Sequence, residues 1–225
     1  MPRRFEPLVN EQFYHIFNRG VNKQPICFAK KDYVRAIESF KFYLTPHPPV
    51  RYSRFINLPS EERKILLQNM DKKEKLVDLI AYCLMPNHFH LLLKQNIDDG
   101  ITMLMRNFQI SYTKYLNTKY DRTGPLLQGQ FKVARIEDDE QLLHVSRYIH
   151  LNPFTSYHLG EIESLTAYPW SSLAEYLDLI EIENEICKKE LILSNFKNKD
   201  KYKEFIFNQA DYQRKLENIK HLILE

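Results

Sequence analysis

Residues 12–18 (QFYHIFN) interleave polar positions with aromatic and β-branched ones, and Arg19-Gly20 with Asn22 break the run. The pattern predicts a first strand and a turn. Over residues 32–44, Tyr33, Val34, Ile37, Phe40 and Leu44 recur at three- and four-residue spacings, which predicts an amphipathic helix behind an Asp32 cap. The prolines at 46–49 end it. Residues 60–75 read as a charged surface helix, with Ser60 as cap and Glu61-Glu62 at the positive end of its dipole. Two apolar runs, 77–85 and 88–94, flank Pro86-Asn87 and predict a hairpin of buried strands.

From 99 to 120, Leu104, Phe108, Tyr112, Tyr115 and Leu116 keep helical spacing until Thr123-Gly124-Pro125. A short strand is expected over 131–136. Asp138-Asp139 then opens a helix over 140–151, with Leu142, Val145 and Ile149 on one face and Pro153 as its stop. After Trp170 the chain has helical character and no Gly or Pro, so a helical C-terminal tail is expected from near Tyr168. The order β, α, (α), β-hairpin, α, β, α predicts an α+β fold: an antiparallel sheet with helices packed on one face. The expected division is a domain over 1–160 and a helical extension over 161–225.

Composition narrows the function. With 225 residues, 44% hydrophobic and 27% charged, the chain suits one globular domain plus an appendage. Three widely spaced cysteines, Cys27, Cys83 and Cys187, argue against a disulfide framework and fit a reducing, cytoplasmic location. The longest apolar stretch, residues 79–85, is far short of the roughly 20 residues of a membrane span, and MPRRFEPLVNEQF has no apolar signal core, so a soluble, unsecreted chain is expected. Five glycines form neither GxGxxG nor GxxxxGK[ST], which excludes the usual nucleotide loops. The net charge of +3 divides into +7 over residues 1–160 and −4 over 161–225. A basic front half with 14 Tyr and 14 Phe in the chain suits a nucleic-acid partner, which needs cations for phosphate and flat faces for bases.

The candidate chemistry sits on the hairpin and the last helix. In a strand, residues i and i+2 share a face, so His88 and His90 converge as a chelating pair while Phe89 points to the other side. An HxH of this kind is also found as a surface coincidence. On the 140–151 helix, His144, Tyr148 and Asn152 stand four residues apart, off the apolar stripe. Asn152 is either an oxygen donor to the same cation or a helix C-cap before Pro153. Tyr112 and Tyr115 match the apolar stripe of their helix and read as core; Tyr120 is a spare tyrosine. Arg19, Lys114, Lys119, Arg122, Lys132 and Arg147 are the cations nearest these motifs and are candidates for holding a DNA backbone.

Four segments, YHIFNRG (14–20), CLMPNHFHLLL (83–93), GPLLQGQFK (124–132) and RYIHLNP (147–153), together resemble the REP-associated tyrosine transposases, a branch of the single-tyrosine HUH (IS200-like) transposases. The resemblance covers about residues 10–155. It implies a bacterial, ferredoxin-like α+β protein that recognises single-stranded DNA hairpins of repetitive extragenic palindromes. It also implies a divalent metal, Mg²⁺ or Mn²⁺, held by His88 and His90 with Asn152 as third ligand, and Tyr148 as the nucleophile that forms a 5′-phosphotyrosine link. The wider superfamily implies a homodimer exchanging the tyrosine helix, while the REP-associated branch admits a monomer. Gln130 stands where the family pattern has arginine, and FTSYHLG after Pro153 departs from its usual tail.

These residue types suit the reaction. A cation at the scissile phosphate offsets developing negative charge. A free tyrosine has a pKa of about 10, so Tyr148 needs help to lose its proton, with His144 or His150 as candidate bases. A tyrosyl intermediate conserves the bond energy, so rejoining needs no ATP. Two other readings remain open: a nucleic-acid-binding protein that does not cut, and a nuclease in which water attacks.

Overall fold

Alternation along the first strand decides which side chains meet across the sheet. The computed structural model describes residues 7–156, 158–180, 185–211 and 213. Its elements run β1 (Phe13–Arg19), α1 (Lys30–Tyr43), α2 (Tyr52–Phe55), α3 (Ser60–Asp71), β2 (Val77–Leu84), β3 (His88–Gln95), α4 (Gly100–Lys119), β4 (Lys132–Arg135) and α5 (Asp139–Thr155). A 3-10 turn (Ile162–Ala167) and the short helices α6 (Leu173–Tyr176), α7 (Glu190–Leu193) and α8 (Lys199–Phe207) follow. The expected tail beyond residue 213 lies outside the described residues.

The four strands are antiparallel in the order β2-β3-β1-β4. With α1 and α4 as crossovers this is the ferredoxin-like βαββαβ arrangement that the resemblance implied, built on the antiparallel α+β sheet that the pattern predicted. One face of the sheet, with Tyr14, Ile16, Phe89 and Leu91, carries α1 and α4; Phe108 meets Phe40 and Phe89 edge-on at 5.7 and 5.9 Å. Helices on one face therefore describe α1 and α4, and the description is incomplete for α5. That helix lies over the opposite face, where Tyr148 meets His90.

Two local expectations are displaced. Helix α1 starts at Lys30, two residues before the predicted Asp32 cap. Asp32 instead sits in the first turn and accepts from the backbone N–H groups of Phe28 (3.0 Å) and Ala29 (2.9 Å). Helix α5 does not stop at Pro153 but continues to Thr155. Proline removes one helical hydrogen bond, yet Leu151, Phe154 and Thr155 are all buried, and that packing holds the last turn. Asn152 is consequently a helix residue, and the C-cap reading of it fails.

The segment after α5 shields the β2 edge. Leu84 N–H donates to Trp170 O (2.8 Å), Lys188 N–H to Leu79 O (2.8 Å), and Tyr176 hydroxyl to Ile80 O (2.7 Å). An uncovered edge would expose unpaired backbone groups. Tyr176 and Tyr202 of the same segment also press on His150 of α5, at ring distances of 4.8 and 6.0 Å. α3 contributes one buried residue, Met70, and is the surface helix its charge predicted. No described helix is long and apolar enough to cross a membrane.

Asp32, fully buried, ties α1 to the end of α4. Besides the two backbone groups, its carboxylate accepts from Lys119 Nζ (2.5 Å), Tyr115 hydroxyl (2.9 Å) and Tyr120 hydroxyl (2.7 Å). Burial works to raise its pKa, but these donors together hold it down at about 2. An ordinary aspartate lies near 4, so the unfolded chain takes up this proton first. The stabilisation is complete above about pH 4 and is lost as pH falls through about 2. Asp32→Ala should destabilise the fold at pH 7 by about 3 kcal/mol. Urea unfolding should show the gap to wild type closing between pH 4 and 2; a pH-independent gap would refute the assignment.

Candidate active site

The register of β1 against β3 builds one wall of the site. Arg19 lies opposite His88, Phe17 opposite His90 and His15 opposite Leu92, all with alternate residues on the α5 face. The turn at Pro86-Asn87, predicted from sequence, sets His88 at the start of β3. Helix α5 crosses above, opened by Asp138, whose side chain accepts from Gln141 N–H (2.7 Å). Tyr148 stands edge-on to His90 and His15, with ring centroids 5.3 and 5.8 Å apart. One turn on, Asn152 Oδ1 lies 2.9 Å from His88 Nε2.

Each strand histidine is held by a second contact. His88 Nδ1 lies 2.6 Å from Asn87 Oδ1, and His90 Nδ1 lies 2.9 Å from His15 Nε2. Burial lowers the pKa of both His15 and His88 to about 4; for His88 the Asn152 contact works against this and Arg19 with it. Burial, then the neighbouring His15, His88 and Arg19, holds the His90 imidazole well below its ordinary value. All three rings are therefore neutral at pH 7, with lone pairs available. Each ring nitrogen of His88 lies against an amide oxygen, and a neutral ring carries one proton; with that proton on Nδ1, the Nε2 lone pair and Asn152 Oδ1 stand side by side as two acceptors. Two acceptors in that arrangement match the donor geometry of a cation site. Among the described residues no three His, Cys, Asp or Glu side chains could hold a metal by themselves; the further oxygen donor beside the histidines is the Asn152 amide.

These residues open on a cavity of about 680 Å³ lined by His88, His90, Tyr148 and Asn152 together with Arg19, Lys23 and Lys132. Among the described residues no carboxylate lines it. A concave site with three cations and no anion has the electrostatics for a phosphodiester backbone.

Six of the residues singled out in the sequence thus come together: His88, His90, Tyr148, Asn152, Arg19 and Lys132. The others lie elsewhere. His150 is fully buried between Tyr202 hydroxyl and Ser172 hydroxyl, 2.8 Å from each. His144 contacts Arg147 (2.5 Å) and Glu140 (3.5 Å). Arg147 lies over the Phe205 ring at 4.3 Å, Arg122 near Phe28 at 5.7 Å, and Lys119 is paired with Asp32. Lys114 lines a separate groove beside α4. Tyr112 is core, donating to Ile26 O (2.7 Å), and Tyr120 is committed to Asp32.

Sequence reasoning missed His15, Lys23 and Asn87. His15 had a usable signal: it shares a strand face with Phe17 and Arg19, and pairing β1 antiparallel to β3 brings that face to the HxH pair. Lys23 had none, because a turn cation gains its meaning only from the cavity beside it.

No curated protein matches the chain in sequence. A solved structure described as a REP-associated tyrosine transposase bound to a REP hairpin is similar in fold, with a TM-score of 0.53 at 13% identity over 84% of this chain and 94% of that one. A family model described as Transposase IS200 like matches residues 40–152, a span that runs from within α1 through the strand histidines to Tyr148 and Asn152. Since that match takes in just over half of its length, the chain belongs to the IS200-like transposase family.

Proposed function

We propose that the chain is a metal-dependent single-strand DNA endonuclease and strand transferase that cuts beside hairpins through a covalent bond to Tyr148. The observation that carries this reading is the placement of Tyr148 over His90, in the same basic cavity where His88 Nε2 meets Asn152 Oδ1. The structural relative's hairpin supports hairpin DNA as the partner class. His88, His90 and Asn152 fit a divalent cation such as Mg²⁺ or Mn²⁺. When bound there, the cation would draw charge from the scissile phosphate and orient it.

The chain's own residues do the rest. Arg19, Lys23 and Lys132 hold the backbone of the strand in the cavity. The Tyr148 oxygen forms a bond to phosphorus as the bond to the 3′ oxygen breaks. The electron pair leaves with that 3′ oxygen, and the tyrosyl proton ends on it, giving a 5′-phosphotyrosine and a free 3′ hydroxyl. Reversal of the same step by another 3′ hydroxyl rejoins the strand. His150 and His144 are committed to other partners, so neither is assigned the base. In the 161–225 extension, Tyr176, Tyr202 and Phe205 brace α5, outside the chemistry carried by 1–160.

With labelled single-stranded hairpins and Mg²⁺ or Mn²⁺, the wild type should form an SDS-resistant protein–DNA adduct. Tyr148→Phe should lower adduct formation by about a thousandfold or more with hairpin binding retained. His88→Ala and added chelator should have the same effect. Cleavage that survives Tyr148→Phe would point to attack by water; binding without any cleavage would point to a non-cutting protein. Separately, Arg19→Ala and Lys132→Ala should each weaken hairpin binding and reduce the slope of log K against log salt by about 1. Unchanged slopes would remove these cations from the interface.

A further inference from the structure

We propose that His15 is a positioning residue that fixes His90 in the tautomer able to bind a divalent cation. The inference rests on the metal reading of the site above. His15 Nε2 and His90 Nδ1 lie 2.9 Å apart, a hydrogen bond that needs one proton. A neutral imidazole has one proton for its two ring nitrogens, so in this contact one ring donates and the other accepts. If His15 Nε2–H donates, the His90 proton must sit on Nε2, and the nitrogen left for a ligand is blocked. If His90 Nδ1–H donates, His15 carries its own proton on Nδ1 and the His90 Nε2 lone pair is free. Only the second arrangement serves a metal.

The geometry points to an outer role for His15. Its Nε2 is spent on His90, and no group of three His, Cys, Asp or Glu side chains among the described residues could hold a metal. Its ring stacks on His90 at 5.0 Å and meets Tyr148 edge-on at 5.8 Å, which holds it in place. The strand register supplies the approach: His15 faces Leu92, two residues along β3 from His90, so His15 and His90 are diagonal neighbours on the same sheet face. Asn87 Oδ1 meets His88 Nδ1 in the same way. Both strand histidines therefore have Nδ1 engaged, which makes Nε2 the ligating nitrogen of each, that of His88 beside Asn152 Oδ1 at 2.9 Å. Partners of this kind typically change metal affinity 10- to 100-fold.

The first test needs no variant. Long-range ¹H–¹⁵N correlation spectra of the metal-free wild type at pH 7 should show His90 protonated on Nδ1; a proton on Nε2 overturns the proposal. His15→Phe keeps a flat ring but offers no acceptor. It should shift the His90 proton toward Nε2 and weaken Mn²⁺ binding about 10- to 100-fold, read from Mn²⁺ broadening of the His88 and His90 ring signals. Hairpin binding in EDTA should stay at the wild-type level, which separates lost positioning from lost folding. His15→Gln, whose amide oxygen can accept the same proton, should recover part of the affinity. Wild-type Mn²⁺ affinity in His15→Phe would overturn the proposal alone. A wild type that binds no Mn²⁺, with or without hairpin DNA, would overturn the metal reading and this inference with it.

Discussion

The antiparallel pairing of β1 with β3 is the constraint on which the site depends. These are the two central strands, and their register decides that His15, Phe17 and Arg19 face His88 and His90. A slip of one residue would turn the β1 side chains to the opposite face, placing Tyr14 and Ile16 in the cavity and the histidine in the core. The register is held from the other side. Tyr14 and Ile16 are fully buried, so the hydrophobic effect acting on the α1/α4 face aligns the polar chemistry on the α5 face.

Helix α5 is the second fixed part, and its position comes from beyond it in the chain. His150, Ser146 and Arg147 are buried because Tyr176, Tyr202 and Phe205 pack against them. Tyr202 hydroxyl reaches both His150 (2.8 Å) and Ser146 (3.3 Å), satisfying polar atoms that burial would otherwise leave at a cost. This brace on one side of α5 leaves Tyr148 and Asn152 on the side that faces the strand histidines. The described part of the acidic C-terminal segment thus supports the site, while among the described residues the cavity is lined by cations without carboxylates.

Buried charge is handled differently on the two sides of the sheet. Asp32 is the anion of the α1/α4 side and has five donors, so it is ionised and structural. The imidazoles of His15, His88 and His90 on the α5 side are kept neutral by burial, which preserves lone pairs. Desolvation opposes charge in both places; the presence of strong donors around Asp32 reverses the outcome there.

Local chemistry was enough to read the element order, the hairpin at Pro86-Asn87, the helix spacing of α4 and the shared face of His88 and His90. Those features depend on periods of 2 and 3.6 residues and on turn residues, which are properties of short stretches. The motif spacing also singled out Tyr148 and Asn152, since residues four apart share a helix face. The apolar stripe of α5 packs in the core as read, but it gave no sign that Ser146, Arg147 and His150 are buried too, because a periodicity within one helix carries no information about Tyr202, more than fifty residues later. The same limit explains His144, His150, Arg147 and Lys119, whose partners Phe205, Tyr202 and Asp32 are chosen by packing. It explains His15 as well, whose meaning depends on a strand seventy-five residues away. Side-chain pairing across distant segments is set by how helices and sheet close around a common core, and that closure exists only in three dimensions.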